Sequence, residues 1–436
     1  MAQEWFALLT DANTRWVLFG TMLLGITSGV LGSFALLRKQ SLIGDAMAHA
    51  ALPGVCIAFI LHGEKSMPLF LAGAALAGLL AAYFIQLISK QSRIKEDTAI
   101  GLTLSVFFGF GIVLLTRITQ APGGNKSGLN DFIFGKAAAL VGSDVQFITG
   151  TGAVLLLITL LFFKEFKLLS FDPQFAQGIG MPVKWMNGLL MVLIVGAVVI
   201  GIQAVGVVLM SAMLITPAIA ARYWTDRLSH MIFISGAVGG FSGVCGTLLS
   251  TQAEKLATGP IIVVAETMIF LFSLLLAPRR GLLAKMLHHI QVQKETAKKA
   301  VLISLYELYE ETNSCDVPLD KLMKRRPFGT VFFQWAMKQL KRELLIKQHE
   351  KGSVILTEGG LKSAYQHTLN QRLYEVYLMH EREFALPDME DKQFDMEKIS
   401  PQLKEKLQEK LRQYGREPLY MYRTQRIKER NVANEL

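Results

Sequence analysis

The chain has 436 residues, of which 51% are hydrophobic and only 18% are charged. A soluble globular domain carries about 25% charged residues, so this composition excludes an ordinary soluble protein. The net charge of +10 raises nucleic-acid binding as an explanation, but basic residues flanking membrane spans are the simpler source of part of it. The three cysteines are far apart and form no Cys-x-x-Cys pair, which argues against a disulfide framework or a thiolate zinc site.

Charged residues are unevenly distributed along the chain. Between residues 16 and 277 they are sparse, whereas from residue 279 onward Lys, Arg, Glu and Gln are frequent and long apolar runs are almost absent. This change predicts a membrane domain over residues 1–284, a linker over 285–300 and a water-soluble region over 301–436. The first 13 residues lack a basic region and a small-residue cleavage site, so we expect no removable signal peptide.

The apolar segments are long enough to be membrane spans, each of which needs roughly 20 apolar residues to cross about 30 Å of hydrocarbon. The candidates are residues 16–37, 47–61, 67–88, 98–116, 140–163, 185–200, 204–221, 231–249 and 260–277. Two segments are short, and the division between the sixth and the seventh is ambiguous. The sequence therefore predicts an all-α polytopic membrane protein with eight or nine transmembrane helices.

Lys and Arg are concentrated in alternate loops between these segments. The richer set of loops carries Arg38, Lys39, Lys90, Arg93, Lys95, Lys164, Lys167, Lys184, Arg222, Arg227, Arg279, Arg280 and Lys285. Cytoplasmic loops carry an excess of such residues, so this set is predicted to face the cytoplasm. Because the last of them directly follow the final span, the C-terminal region is predicted to be cytoplasmic as well.

The stretch SLIGDAMAHAALPG, residues 41–54, carries the most informative polar side chains. On a helix, Asp45 and His49 are four residues apart and face the same side. A carboxylate and an imidazole form a plausible half-shell for Mn²⁺, Fe²⁺ or Zn²⁺, and ionisable groups at membrane depth are usually functional. The alternative is a capping Asp45 and a packed His49 at the interface, and spacing alone does not separate the two. Glu266, inside the last span, is the next metal-site candidate, although packing against a neighbouring helix is equally consistent.

The segment SLIGDAMAHAALPGV resembles the signature of the zinc/manganese class of ABC-transporter permeases. IKEDTAIGLTLSVFFGFGIVLL, GLNDFIFGKAAAL and VGVVLMSAMLITPAIAARYW resemble later segments of that family, in the same order. The resemblance implies that Asp45 and His49 coordinate metal in the translocation pathway, and that the protein lies in a bacterial plasma membrane. A transport site is expected deeper than the start of a span, which an unwound helix at Gly44 or a shifted span boundary would reconcile.

The resemblance also implies a set of partners. Residues 166–181, with a capping Asp172 before Pro173, correspond to the loop that docks on the ATPase subunit, although a plain surface turn remains an alternative. The loop at 122–127, PGGNKS, is not a Gly-x-x-x-x-Gly-Lys-Ser/Thr phosphate loop, so the chain is predicted not to be an enzyme by itself. The expected partners are an ATPase subunit, an extracellular metal-binding protein and a second copy or paralogue of the permease.

No permanently bound cofactor is expected, because the metal is the transported substrate. An Asp and His pair without Cys favours manganese, while zinc and ferrous iron remain open. An ion-coupled metal carrier and a membrane-anchored, metal-responsive transcription regulator are alternatives from other classes.

The C-terminal region is predicted to be a small cytoplasmic winged-helix α+β domain. Helices near 301–311, 317–324 and 330–343 precede a strand pair near 345–356 and a long helix from 359. The run from 317 to 378 resembles the N-terminal half of metalloregulators of the diphtheria-toxin-repressor type. Glu375 matches their pattern, but Gln371 stands where they place a ligand His, which leaves that metal site incomplete. Phe332, Phe333 and Trp335 make the third helix too apolar for reading base edges, so a protein-interaction or metal-sensing module is favoured over DNA binding.

Overall fold

The computed structural model describes residues 12–40, 42–62, 67–120, 142–252, 258–312, 314, 316–325, 329–349, 352–380 and 401–419. The chain divides into two compact units, Met1–Lys285 and Met286–Leu436. The segments around Lys126, Asp131, Glu254, Cys315 and Arg326 lie outside the described residues.

The first unit is built from helices. They are α1 Ala12–Leu37, α2 Ile43–His62, α3 Met67–Gln91, α4 Glu96–Gln120, α5 Gly142–Leu161, α6 Phe163–Phe171, α7 Pro173–Gly178, α8 Val183–Val205, α9 Val207–Trp224, α10 Leu228–Gln252 and α11 Thr258–Leu276. Among the described residues, eight helices are long and apolar enough to cross a membrane, namely α1 to α5, α8, α10 and α11. The prediction of a polytopic helical membrane protein is confirmed, and the count agrees with the lower of the two predicted numbers.

The ambiguous predicted segment 204–221 falls on α9, which is not among the eight. A single residue, Gly206, separates α8 from α9, and its φ of 94° lies in a region that glycine enters at little cost. The N–H of Gly206 still donates to the carbonyl of Ile202 at 2.9 Å, and its own carbonyl accepts from Met210 at 3.2 Å. The boundary between the sixth and seventh predicted segments is therefore Gly206.

Helix α1 lies at the centre of this unit and packs against α5, α8, α9 and α10. Small residues allow these close contacts: a β-carbon added at Gly32 would lie 1.7 Å from the carbonyl oxygen of Leu214 on α9. The hydroxyl of Ser235 on α10 donates to the carbonyl of Gly29 at 2.7 Å. Since lipid provides no hydrophobic drive between helices, close packing and interhelical hydrogen bonds hold such a bundle together.

The second unit combines helices with a small sheet. Its elements are α12 Leu282–Thr312, which starts at the end of the first unit, β1 Asp316–Pro318, α13 Leu319–Arg325, α14 Thr330–Arg342, β2 Ile346–Gln348, β3 Ser353–Leu356, α15 Glu358–Met379 and α16 Pro401–Gln413. The sheet is antiparallel in the order β1-β3-β2, with Val317 opposite Val354 and Ile346 opposite Leu356.

The core of the second unit forms where α12 meets α14 and the sheet. Leu302, Leu305 and Tyr306 are buried in one cluster with Leu340 and Val354. The first helix begins at Leu282, well before the predicted residue 301, so the stretch predicted as a linker, 285–300, is helical. With three strands of three or four residues each, the sheet is small. The winged-helix assignment therefore rests on the sequence resemblance.

Candidate metal site in the membrane domain

The predicted pairing of Asp45 with His49 is present on α2. Asp45 lies in the first turn of the helix and His49 one turn later, and the His49 Nε2 is 3.4 Å from the Asp45 Oδ1. The side chain of His49 is 16% exposed and that of Asp45 is 33% exposed. Gly44 is helical, so the unwinding that would place the pair deeper is not observed.

Two other helices complete the surroundings of the pair. The ring of Phe108 on α4 meets the imidazole of His49 edge to face, with ring centroids 4.6 Å apart. The hydroxyl of Ser211 on α9 lies beside Asp45. The site therefore lies where α2, α4 and α9 meet, with one aromatic wall and one hydroxyl beside the carboxylate.

The second ring nitrogen of His49 has a distinct environment. Within the described part of the chain, Nδ1 is buried and has no hydrogen-bond partner. Buried polar atoms are nearly always hydrogen-bonded, so an unpartnered imidazole nitrogen needs an explanation. The ring nitrogen beside the Asp45 carboxylate is Nε2, so a half-shell for a first-row divalent metal at this pair would use Nε2 and a carboxylate oxygen.

Glu266 is separate from this pair. It lies on the buried face of α11 with Gly259, Ile262 and Ser273, its side chain is fully buried, and neither carboxylate oxygen has a partner among the described residues. No three His, Cys, Asp or Glu side chains of the described ranges are grouped so that they could hold a metal ion. Asp45 and His49 are thus brought together, and Glu266 does not join them in a cluster of three.

Neither Phe108 nor Ser211 was predicted from the sequence to lie at the site. Ser211 carries a weak signal, since it is a hydroxyl in an otherwise apolar stretch of α9. Phe108 carries none, because it is one of several phenylalanines in α4 and only the fold selects it.

The loop after α5 forms a surface of different character. The carboxylate of Asp172 accepts a hydrogen bond from the backbone N–H of Phe175 at 2.8 Å, and Pro173 opens α7, so the predicted cap is confirmed. Phe171, Phe175 and Ile179 are more than half exposed. An exposed apolar cluster of this kind is typical of a surface that another protein covers.

Residues 10–277 match the ABC 3 transport family. The chain belongs to this family. Membership, together with the eight candidate spans, places the protein in a membrane. The match covers the helical bundle that carries Asp45 and His49, and it ends before α12.

Individual relatives extend this result. The chain is 52% identical to the manganese transport system membrane protein MntC of Bacillus subtilis over 427 residues, which cover 98% of each chain. It is 47% identical to the zinc transport system membrane protein TroC of Treponema pallidum over 276 residues, covering 63% of this chain and 93% of that one. Among solved structures, PsaBC from Streptococcus pneumoniae in complex with Fab matches with a TM-score of 0.57 and 38% identity, covering 64% of this chain and 98% of that chain.

The lengths of these matches differ in an informative way. TroC and the PsaBC chain match 63% and 64% of this chain, about the length of the family match. The similarity to MntC of B. subtilis extends through 98% of this chain. The second unit is therefore shared with at least one relative within the ABC 3 family.

Proposed function

We propose that this chain is the permease subunit of an ATP-driven importer of a divalent transition metal, with manganese as the first candidate, in a bacterial plasma membrane. The observation that carries the proposal is the Asp45–His49 pair, with a carboxylate oxygen and a ring nitrogen 3.4 Å apart, inside an ABC 3 helix bundle. The donor set of one carboxylate and one imidazole, without thiolate, favours Mn²⁺ over a thiolate-preferring ion. Zinc and ferrous iron are the alternatives, and TroC is named for zinc.

The pair acts as half of a coordination shell. A carboxylate oxygen of Asp45 and a ring nitrogen of His49 would contact the metal, while Ser211 orients the carboxylate. Water molecules supply the remaining ligands, which leaves the metal held loosely enough to pass on. Glu266 is proposed as a further metal-binding position on the route through the bundle, at a point separate from the pair.

The energy comes from a partner ATPase subunit that docks on the exposed surface of Phe171, Phe175 and Ile179. An extracellular metal-binding protein delivers the metal, and a second copy or a paralogue of the permease completes the pathway. Closure of the ATPases on ATP opens the bundle outward to accept metal, and nucleotide release restores the closed state. The permease itself is not an enzyme.

The chain is proposed to consist of a membrane domain over 1–284, a helical connection over 285–300 formed by α12, and a cytoplasmic winged-helix domain over 301–436. In the second unit Glu375 accepts a hydrogen bond from Gln371 at 3.0 Å and lies 3.3 Å from Arg416. A carboxylate engaged by an amide and a guanidinium is a poor metal ligand, which supports a protein-interaction role over a metal-sensing one. Nucleic acid is not the favoured partner.

Metal uptake into proteoliposomes tests the proposal. The permease is co-reconstituted with its ATPase and supplied with metal-loaded binding protein, and uptake of Mn²⁺ is compared for Asp45→Asn, His49→Gln and the wild type. His62→Gln, at the exposed end of the same helix, and Asp97→Asn, in the first turn of α4, are the matched controls. We expect both site variants to lose uptake while retaining assembly, and both controls to transport normally.

Two results would contradict the proposal. Normal uptake by both site variants would remove the metal-site assignment. Uptake that persists with a catalytically inactive ATPase would instead favour the ion-coupled carrier, whatever the outcome at Asp45 and His49.

A further inference from the structure

The first turns of α12 carry an exposed apolar stripe that the importer mechanism does not use. The stripe consists of Leu282, Leu283, Met286, Leu287 and Ile290. Met286 is 56% exposed and Leu287 is 64% exposed, whereas the same helix is buried from Ala297 onward in the core of the second unit. One helix therefore has an uncovered apolar beginning and a covered continuation.

The stripe has the periodicity of an amphipathic helix. At 100° per residue, its five side chains fall within an arc of roughly 140°. The polar side chains of the same turns occupy the opposite side, and they are Lys285, His288, His289 and Gln291. Helices with one apolar and one basic or polar face are those that lie in the plane of a membrane surface, with the apolar face at the boundary between headgroups and acyl chains.

The stripe begins immediately after the last span. Only five residues separate Leu276, the end of α11, from Leu282. These residues are compact, because the N–H of Gly281 donates to the carbonyl of Ala277 at 2.9 Å and the N–H of Lys285 donates to the carbonyl of Gly281 at 3.0 Å. At a helical rise of about 1.5 Å per residue, α12 begins within roughly 10 Å of the end of the span. That distance is comparable to the depth of a headgroup layer.

An ion pair holds the start of α12 at this edge of the bundle. Arg280 pairs with Asp226, which lies between α9 and α10, and Arg222 is 4.0 Å from the same carboxylate. Arg279 and Lys285 add basic groups on either side of the anchored residue. Basic residues at a membrane surface attract anionic lipid headgroups.

We propose that residues 282–292 form an interfacial helix that inserts its apolar stripe into the bilayer surface, with Arg279 and Lys285 binding anionic phospholipid headgroups. The membrane is the occupant that fits, because the stripe begins five residues after the last span and basic residues flank it. The inference needs the membrane location of the first unit, and it is independent of which metal is carried.

Lipid contact can be measured residue by residue in the full-length chain. The native cysteines Cys56, Cys245 and Cys315 are replaced. A single cysteine is then introduced either in the apolar stripe, as Leu287→Cys, or on the polar face of the helix, as His288→Cys. Each variant is labelled with an environment-sensitive fluorophore in nanodiscs that contain lipids brominated on their acyl chains. We expect several-fold stronger quenching at 287 than at 288.

The alternatives give different results, and each overturns the proposal. Equal and weak quenching with water-like emission at both positions would mean that the stripe faces solvent. Blue-shifted emission at 287 without quenching by brominated lipid would mean that a protein surface covers it.

A second measurement uses the unaltered chain and so does not depend on the cysteine replacements. Hydrogen–deuterium exchange over residues 282–292 is compared in nanodiscs with and without anionic lipid. We expect slower exchange with anionic lipid, and we expect that dependence to be lost in the double variant Arg279→Gln, Lys285→Gln but kept in the control Lys321→Gln. Exchange that is fast and insensitive to lipid charge in the wild type would refute the role of anionic headgroups.

Discussion

Replacing Gly32 by alanine tests whether the contact between α1 and α9 supports the metal site. A β-carbon at Gly32 would lie 1.7 Å from the carbonyl oxygen of Leu214, and an ordinary contact needs about twice that distance. The obstructing atom belongs to the backbone of a helix and cannot rotate away, so α9 must withdraw by more than about 1 Å. Overpacking of a well-packed core costs about 1–3 kcal/mol, and we expect at least the upper end here.

The displacement reaches the site through α9. Ser211, which lies beside Asp45, is one turn before Leu214 on the same helix. Withdrawal of α9 therefore moves the hydroxyl away from the carboxylate. We expect Gly32→Ala to lower the thermal unfolding midpoint in detergent and to reduce uptake per assembled transporter in proteoliposomes.

Two further alanine variants calibrate the argument. At Gly109 on α4 no atom lies within 4 Å of an added β-carbon, so Gly109→Ala is expected to be neutral or slightly stabilising. At Gly44 the nearest atom, at 2.5 Å, is the end of the Leu214 side chain, which can rotate. Gly44→Ala is therefore expected to cost less stability than Gly32→Ala while still disturbing the adjacent Asp45. If Gly32→Ala and Gly109→Ala have the same unfolding midpoint and the same uptake, α1 and α9 do not make the close contact described.

Two other predictions concern the second unit and the docking surface. Arg372 donates to Glu310 and to the backbone carbonyl of Arg416, and both members of the ion pair are largely buried. Arg372→Ala is therefore expected to lower the free energy of unfolding by about 3 kcal/mol and to speed hydrogen exchange over residues 401–419. The control Arg325→Ala breaks an exposed ion pair and is expected to cost under about 1 kcal/mol, so equal effects of the two variants would contradict the assignment. Phe175→Ser is expected to weaken binding of the ATPase subunit, measured by co-purification, by more than about tenfold without lowering the unfolding midpoint. The control is Leu344→Ser, which replaces another exposed apolar residue. Undiminished co-purification of the Phe175→Ser variant would mean that the ATPase docks on a different surface.

The features that could be predicted from the sequence are those that local pattern determines. Apolar runs predicted the helix bundle because each span must satisfy its own backbone hydrogen bonds in lipid. The i, i+4 spacing predicted that Asp45 and His49 share a face, and the cap at Asp172 follows from residue types alone. Each of these signals is contained within one turn or one helix.

The remaining features depend on residues far apart in the chain. Phe108 and Ser211 reach the pair from helices that begin more than 40 and more than 150 positions later, and no local pattern points to them. The start of α12 was predicted too late, although the apolar spacing of residues 282–290 is a local pattern present in the sequence. The break at Gly206 was ambiguous, since apolar residues continue on both sides and only the positive φ marks the boundary.

The position of Asp45 in the first turn of α2 has an electrostatic consequence. The N–H groups at a helix start have no partners within the helix, and their partial positive charge stabilises a nearby carboxylate. The start of α2 therefore adds a favourable interaction to the Asp45 carboxylate, beside its contact with His49.

The same end of the bundle is more polar than its interior. Gln40, buried between α1 and α2, donates a hydrogen bond to the carboxylate of Glu96 at 2.5 Å. Burial lowers the pKa of the neighbouring Arg38, and the negative charge of Glu96 opposes that shift. These groups surround the turn that leads into Asp45. A metal leaving the pair toward this end would meet carboxylate and amide oxygens rather than an apolar barrier, so a shallow site is compatible with release on this side.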